Sequence, residues 1–232
     1  MRHSRRRAYL TGSAALGAGL VLVPVRRVLA QGSDQQRLVD RARIVVEEFQ
    51  ADNRFASMRV YAQNAYAALI FPDLLKGGFF VGVEYGRGVM LARDIRSGAW
   101  SEPAFFDLLS GSLGLQFGGQ ASDVIFTVMN DGAVRRILSA KFQLGTDASV
   151  AAGPVGVGVG AGTTVQFGED IYVFARGKGL YGGLGVEGSY FRPKEDWNAA
   201  YYGRAVTPAQ ALYEQAVSNP GSAALRQALA RF

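Results

Sequence analysis

The side chains able to do chemistry in this chain are few and of a narrow kind. Its 232 residues include no cysteine and one histidine, His3, which sits in a stretch that reads as a removable leader. Without either residue, thiolate nucleophiles, Ser-His-Asp triads, zinc and iron-sulfur sites, His-ligated haem and a lipobox anchor are excluded together, and no cofactor is expected. Carboxylates, Lys, Arg, Tyr and hydroxyls remain.

Basic residues recur beside glycine. Arg176-Gly177-Lys178-Gly179 puts two cations next to backbone whose amides could form an anion-binding nest, and Lys76-Gly77-Gly78 and Gly86-Arg87-Gly88 repeat the device. A phosphate headgroup suits this chemistry; solvated turn residues would look the same in sequence. Asp123, Asp147 and Glu187 stand near glycine and hydroxyl neighbours. They could pair across strands as a hydrolase's carboxylates, or simply accept hydrogen bonds from turn amides. Gly177 to Gly182 and Gly183 to Gly188 both match G-x-G-x-x-G. A dinucleotide loop needs a helix after it, and the sequel here reads as a strand, so nucleotide binding is not expected. Phe79, Phe80, Trp100, Phe105 and Phe106 crowd hairpin and loop positions, where they could cap a core or enter the acyl region of a bilayer.

The net charge of +6 belongs to the leader. Arg2, Arg5, Arg6, Arg7, Arg26 and Arg27 fall within residues 1–30, which contain no acid; beyond them 19 basic residues balance 19 acidic ones. A basic start, an apolar run from Ala8 to Val25 softened by glycine, and Val28-Leu29-Ala30 predict an export signal cleaved near Ala30, with Arg6-Arg7 resembling a twin-arginine motif. The mature protein is then neutral, exported to the periplasm or envelope, and not expected to bind nucleic acid.

Elements must hold these residues in place. Ser33 and Gln36 form a capping-box pattern, and Leu38, Ala42, Val45 and Phe49 make a helical stripe; a second helix is expected over Arg54 to Gln63. Ala67 to Phe71 reads as a strand stopped by Pro72. Gly86-Arg87-Gly88 then reads as a hairpin turn between Phe79 to Tyr85 and Val89 to Arg93. Further strands are expected at Leu113 to Gly118, Ser122 to Met129, Lys141 to Leu144, Asp170 to Ala175 and Leu184 to Phe191, with a short helix near Asp131. Trp100 to Phe106 shows no strand periodicity. The alternation of valine and glycine from Val155 to Gly160 leaves one bare strand face, for a barrel bend or a close approach. Thr207, Pro208 and Gln210 start a helix, and another follows Pro220. Helices, many strands, then helices make an α+β fold: an antiparallel, glycine-rich sheet or partly closed β-barrel flanked by N-terminal and C-terminal helices. Residues 1–30 are read as the leader, 31–203 as one domain and 204–232 as a C-terminal helical extension.

A string of short motifs runs in order along this domain. Phe71-Pro72 with Lys76-Gly77-Gly78, Glu84-Tyr85-Gly86, Trp100-Ser101 with Pro103-Ala104-Phe105, Gly114-Leu115-Gln116, Gln120 through Val124, Leu144-Gly145 with Asp147 through Gly156, Arg176 with Lys178-Gly179-Leu180, Glu187-Gly188 and Tyr202-Gly203 together resemble the SYLF domain. That resemblance implies a non-enzymatic module binding phospholipids, phosphoinositides in eukaryotic members, some of which also associate with actin. Val83, Val157, Ala175 and Gly177 depart from its pattern. Under it, Arg176 and Lys178, then Lys76 and Arg87, contact headgroup phosphate, and Phe79, Phe80, Trp100, Phe105 and Phe106 contact acyl chains. The expected partner is phospholipid or a membrane surface; actin is not expected in an envelope compartment, and an envelope protein partner is the alternative.

Overall fold

The computed structural model describes residues 33–78, 81–113, 120–139, 142–156, 167–177 and 188–232. Residues 1–32, which include the expected leader, Phe79, Phe80, Lys178, Glu187, most of the strand expected at Leu113 to Gly118 and the inner residues of both glycine motifs lie outside them.

Helix α1 (Asp34–Ala51) starts as its sequence requires, with Ser33 Oγ accepting from the Gln36 amide at 3.1 Å. The other half of the capping box is absent. Gln36 is buried and its side-chain amide instead donates to Asp40 Oδ1 at 2.9 Å and to the Gly221 carbonyl at 3.0 Å. Val39, Ala42, Val45, Val46 and Phe49 form the buried stripe, and Leu38 sits at its flank. The second expected helix divides into a 3-10 turn, Asn53–Phe55, and α2 (Met58–Asn64).

Eight strands follow: β1 (Ala67–Gly78), β2 (Val81–Ala92), β3 (Ala104–Leu113), β4 (Gln120–Val128), β5 (Phe142–Gln143), β6 (Val150–Ala152), β7 (Ile171–Gly177) and β8 (Tyr190–Pro193). They form one sheet in the order β5-β8-β3-β2-β1-β4-β7-β6, antiparallel except for the β6–β7 pair. The fold is α+β, as expected from the order of elements.

Two local readings are corrected. Pro72 does not stop β1; the strand continues with a register shift between Phe71 and Leu74, and Asp73 takes a positive φ of 52°. Proline lacks an N–H for the ladder, and a bulge is where a strand tolerates it. Gly86-Arg87-Gly88 is not a turn either, because β2 runs straight through it, paired with β3 from Val81 to Met90. These glycines let the bulged β1 come close. A Cβ on Gly88 would lie 2.5 Å from the Ile70 carbonyl oxygen, and one on Gly86 would lie 2.6 Å from Leu74 Cδ1.

Both faces of the sheet are buried. On one face Phe71, Phe106, Phe126, Phe142 and Phe191 form the centre of a cluster closed by α3 (Asp131–Ile137) and α5 (Pro208–Leu212). Phe191 of β8 stacks on Phe71 of β1 at 5.7 Å although two strands separate them in the sheet, so the sheet curls into a half-barrel around this cluster. On the other face α1, α2, α4 (Glu195–Tyr202) and α6 (Ala223–Leu229) cover Ala68, Ile70, Val89, Leu91, Phe105, Ile125 and Phe174. A fully buried large apolar side chain contributes about 1.5–3 kcal/mol, against about 0–1 for an exposed ion pair, so these two layers rather than surface charge hold the curl.

Two-sided burial also explains why Trp100 to Phe106 shows no alternation. Phe105 and Phe106 are adjacent in β3, each at most 1% exposed, one in each layer. Trp100 is buried beside the start of this strand, bridged to Arg93. All three are core residues and unavailable to acyl chains, which corrects their expected role. The segment 204–232 packs into both layers through Val206, Leu212, Leu225 and Leu229.

Gly88→Ala is expected to cost about 1–3 kcal/mol, because its methyl would press on the β1 backbone. Gly168→Ala, where a Cβ meets nothing within 4 Å, should stay near wild type in the same urea titration.

Candidate functional site

The helix-side face of the sheet carries two rows of charge where the helix layer ends. In the first, cross-strand register aligns Arg87 of β2 with Asp107 of β3 and Asp107 with Arg192 of β8. Asp107 is 3% exposed. It accepts from Tyr85 Oη at 3.2 Å, and Tyr85 Oη in turn accepts from Arg87 Nε at 2.8 Å. The cations stand further off: Arg192 Nη2 is 3.5 Å, Arg87 Nε 3.9 Å and Lys194 Nζ 4.0 Å from the carboxylate. Lys194 also pairs with exposed Asp196 at 3.2 Å. Trp197 of α4 lies between two of these cations, its ring 4.8 Å from the Arg87 guanidinium and 5.8 Å from Lys194 Nζ. With Lys194 matched by Asp196, two guanidiniums share one buried carboxylate, and both are largely exposed. A loosely held excess of positive charge beside an aromatic ring suits a phosphate or another oxyanion.

The second row is balanced differently. Asp123 of β4 faces Arg176 of β7 in register and accepts from Arg176 Nη2 at 3.0 Å, from the Asp73 amide at 3.2 Å and from Arg41 Nη2 at 3.5 Å. Arg176 also bonds Glu48 of α1, and Arg41 pairs with Glu48 and Asp73. Here three carboxylates meet two guanidiniums, and the network ties α1 to the β1 bulge. Among the described residues no cationic excess is left there for an anion.

The residues expected to contact phosphate are therefore dispersed. Arg87 lies in the first row, Arg176 is held by carboxylates in the second, Lys76 is on β1 in register with Glu84 and Gln120, and Lys178 lies outside the described residues. Arg192, Lys194 and Trp197 escaped the reading because they carry no glycine signature. Their signal is the alternation Tyr190, Arg192, Lys194 at the end of β8, which becomes meaningful only when Asp107 is known to be the neighbour. Asp123 and Asp147 do not face one another: Asp123 is on β4, while Asp147 accepts from the Gln143 amide at 2.6 Å in the turn after β5. Among the described residues no group of three or more His, Cys, Asp or Glu is placed to hold a metal.

A third charged position lies between β3 and the C-terminal helices. Glu102, 7% exposed, accepts from Ser222 Oγ at 2.8 Å and pairs with Arg226 at 3.3 Å, beside a cavity of about 370 Å³ that Trp100 and Gln215 also line. Burial first, and then the charge of Glu102, push the phenols of Tyr201 and Tyr202 well above the ordinary tyrosine range. Tyr202 Oη donates to the Pro103 carbonyl at 2.5 Å, whereas Tyr201 Oη has no hydrogen-bond partner among the described residues.

A model of the Ysc84 family, described as Las17-binding protein actin regulator, matches residues 109–232, from β3 through α6. The chain belongs to this family. It is similar to SH3 domain-containing YSC84-like protein 1 of Xenopus laevis, 28% identical over 133 residues, covering 57% of this chain and 39% of that protein. Protein YSC84 of Saccharomyces cerevisiae is 30% identical over 146 residues, covering 62% of this chain and 31% of its own length. SH3 domain-containing protein PJ696.02 of Schizosaccharomyces pombe is 29% identical over 158 residues, 67% of this chain and 36% of that one. The Ysc84-family chain thus spans about a third of the length of the curated relatives it matches. Their names describe SH3-containing and YSC84-like proteins, not enzymes.

Tyr201→Phe removes a buried hydroxyl that bonds nothing, so at neutral pH it should be neutral or slightly stabilising, whereas Tyr202→Phe should cost about 0.5–1.5 kcal/mol. Above about pH 10 the unfolded chain ionises these phenols and the folded chain does not, so wild-type stability falls as pH rises, by about 1.4 kcal/mol per pH unit for each tyrosine. Denaturation across the alkaline range should show Tyr201→Phe with the shallower fall.

Proposed function

We propose that this chain is an exported, non-enzymatic phospholipid-binding module acting at the cell envelope membrane, with Arg87 and Arg192 receiving headgroup phosphate. The observation that carries this reading is the Asp107 row, where two exposed guanidiniums share one buried carboxylate beside Trp197. Family membership supports a binding module, and the arginine-rich leader supports export. Phosphoinositides, with several phosphate groups, would be among the headgroups such a site accepts. Arg176 acts instead as a tie between α1 and the sheet. Since the mature chain has no net charge, attraction is local and binding should respond only moderately to salt.

A second reading, an envelope adaptor that binds another protein, draws on the relatives' names. It differs in a simple respect: an adaptor pulls down a protein and carries no extractable phospholipid.

The exported chain recovered from cells should begin at Gln31, and replacing Arg6 and Arg7 together by Lys should retain the precursor inside. Mixed with phosphatidylcholine vesicles containing anionic phospholipid, the exported chain should float with them. Failure to float at low salt with either zwitterionic or anionic vesicles overturns the phospholipid reading.

A further inference from the structure

One residue pair outward from the charged row, the same face of the sheet carries a second row. Register aligns Leu75 of β1 with Tyr85 of β2, Tyr85 with Leu109 of β3, and Leu109 with Tyr190 of β8. Strand parity puts all four on the helix side: Tyr85 is two residues from Arg87, Leu109 two from Asp107 and Tyr190 two from Arg192. At about 4.8 Å between strands, the row spans about 14 Å. Leu75 is 57% exposed and Tyr190 47%, while Tyr85 and Leu109 are half-buried. Scattered exposed apolar residues need no explanation, but here two exposed ones close the ends of a single cross-strand row whose middle members are half-buried.

The order of chemistry along the strands is therefore the helix-covered core, then Arg87, Asp107 and Arg192, then Leu75, Leu109 and Tyr190, with Tyr85 joined to the charged row through its hydroxyl. The same order is met on entering a bilayer from the interface, where guanidiniums sit at the phosphates and tyrosine and aliphatic groups sit at the edge of the hydrocarbon. Trp197, its ring against Arg87, stands at the level of the charges. The excess of cation beside the row complements anionic lipid phosphate.

We propose that this row of Leu75, Tyr85, Leu109 and Tyr190, with the bordering Arg87 and Arg192, is the surface the protein lays on a phospholipid bilayer. The inference rests on the phospholipid-binding reading and adds to it which face meets the membrane. Contact is shallow: a leucine and a tyrosine reach the acyl boundary, the arginines bind phosphate, and the helix layer stays in water.

The test uses the exported full-length chain and vesicles of phosphatidylcholine and phosphatidylglycerol in equal amounts. Leu75→Ser with Tyr190→Ser should weaken binding about tenfold or more, and Arg192→Glu by a similar factor. Val155→Ser, at another exposed apolar position, should bind as wild type. As a gain of signal that does not depend on a damaged variant, Leu75→Trp should show blue-shifted fluorescence on vesicles and quenching by lipids brominated on the acyl chain. If the wild type binds but the serine pair binds equally well and Trp at position 75 stays unquenched, the surface is wrong and the phospholipid reading stands. If the wild type does not bind at all, both fall. Loss of capture of an envelope protein by the same variants, with vesicle binding unchanged, would assign the face to a protein partner and overturn the proposal.

Discussion

The structure depends on one constraint: the part of the central β1–β2 hairpin that pairs Ala67 to Ile70 with Val89 to Ala92 is buried on both faces. Ala67, Leu69 and Phe71 point into the half-barrel while Ala68 and Ile70 point into the helix layer, and Met90 and Leu91 divide in the same way. A strand with two dry faces has no place for a charge, so every ionisable group in the middle of the sheet is pushed to where the helices stop. That is why the carboxylates of Asp107 and Asp123 sit at similar levels on β3 and β4, the strands flanking the hairpin, and why each takes its arginine from the next strand outward. The two positions look alike in topology and differ in balance. Around Asp123 the acids outnumber the bases and the result is a structural tie; around Asp107 the bases are in excess, which is what the proposed phosphate position draws on.

Much of this organisation could be read before any coordinates. The caps at Ser33 and Thr207 act through a local pattern, a hydroxyl oxygen three residues ahead of an unpaired N–H, and both form as expected. The strands at Ser122 to Met129 and Asp170 to Ala175 announce themselves by runs of β-branched and aromatic residues. The fold class follows from the order of such elements.

Where local pattern misled, a distant neighbour decided. Glycine at 86 and 88 usually signals a positive φ, but here the need was space beside the bulge in β1, which nothing near residue 86 reveals. Proline at 72 usually ends a strand, yet the Asp123 carboxylate takes up the Asp73 amide where the ladder breaks. Phe105 and Phe106 left core and acyl contact both open because they do not alternate, and they fail to alternate because both sides are covered. The candidate site was legible only in part for the same reason: Arg87 stood out beside its glycines, whereas Arg192 and Lys194 gain their meaning from Asp107, some 85 residues earlier.

The Gln36 contact carries a consequence for how the chain reaches this state. Its side chain reaches the Gly221 carbonyl across a separation of 185 residues, and α1 packs along α6. The helix layer is thus closed by the first and last helices of the described residues, and its core has no lid until α6 has been made. Contacts of such high sequence separation form late and slowly. During synthesis the half-barrel can curl around its phenylalanines while the opposite face of the hairpin still exposes Ile70, Val89, Leu91 and Phe105 to water. Such a chain spends its early life as a sheet with one adhesive side, and its solubility before completion depends on whatever covers that side in the meantime.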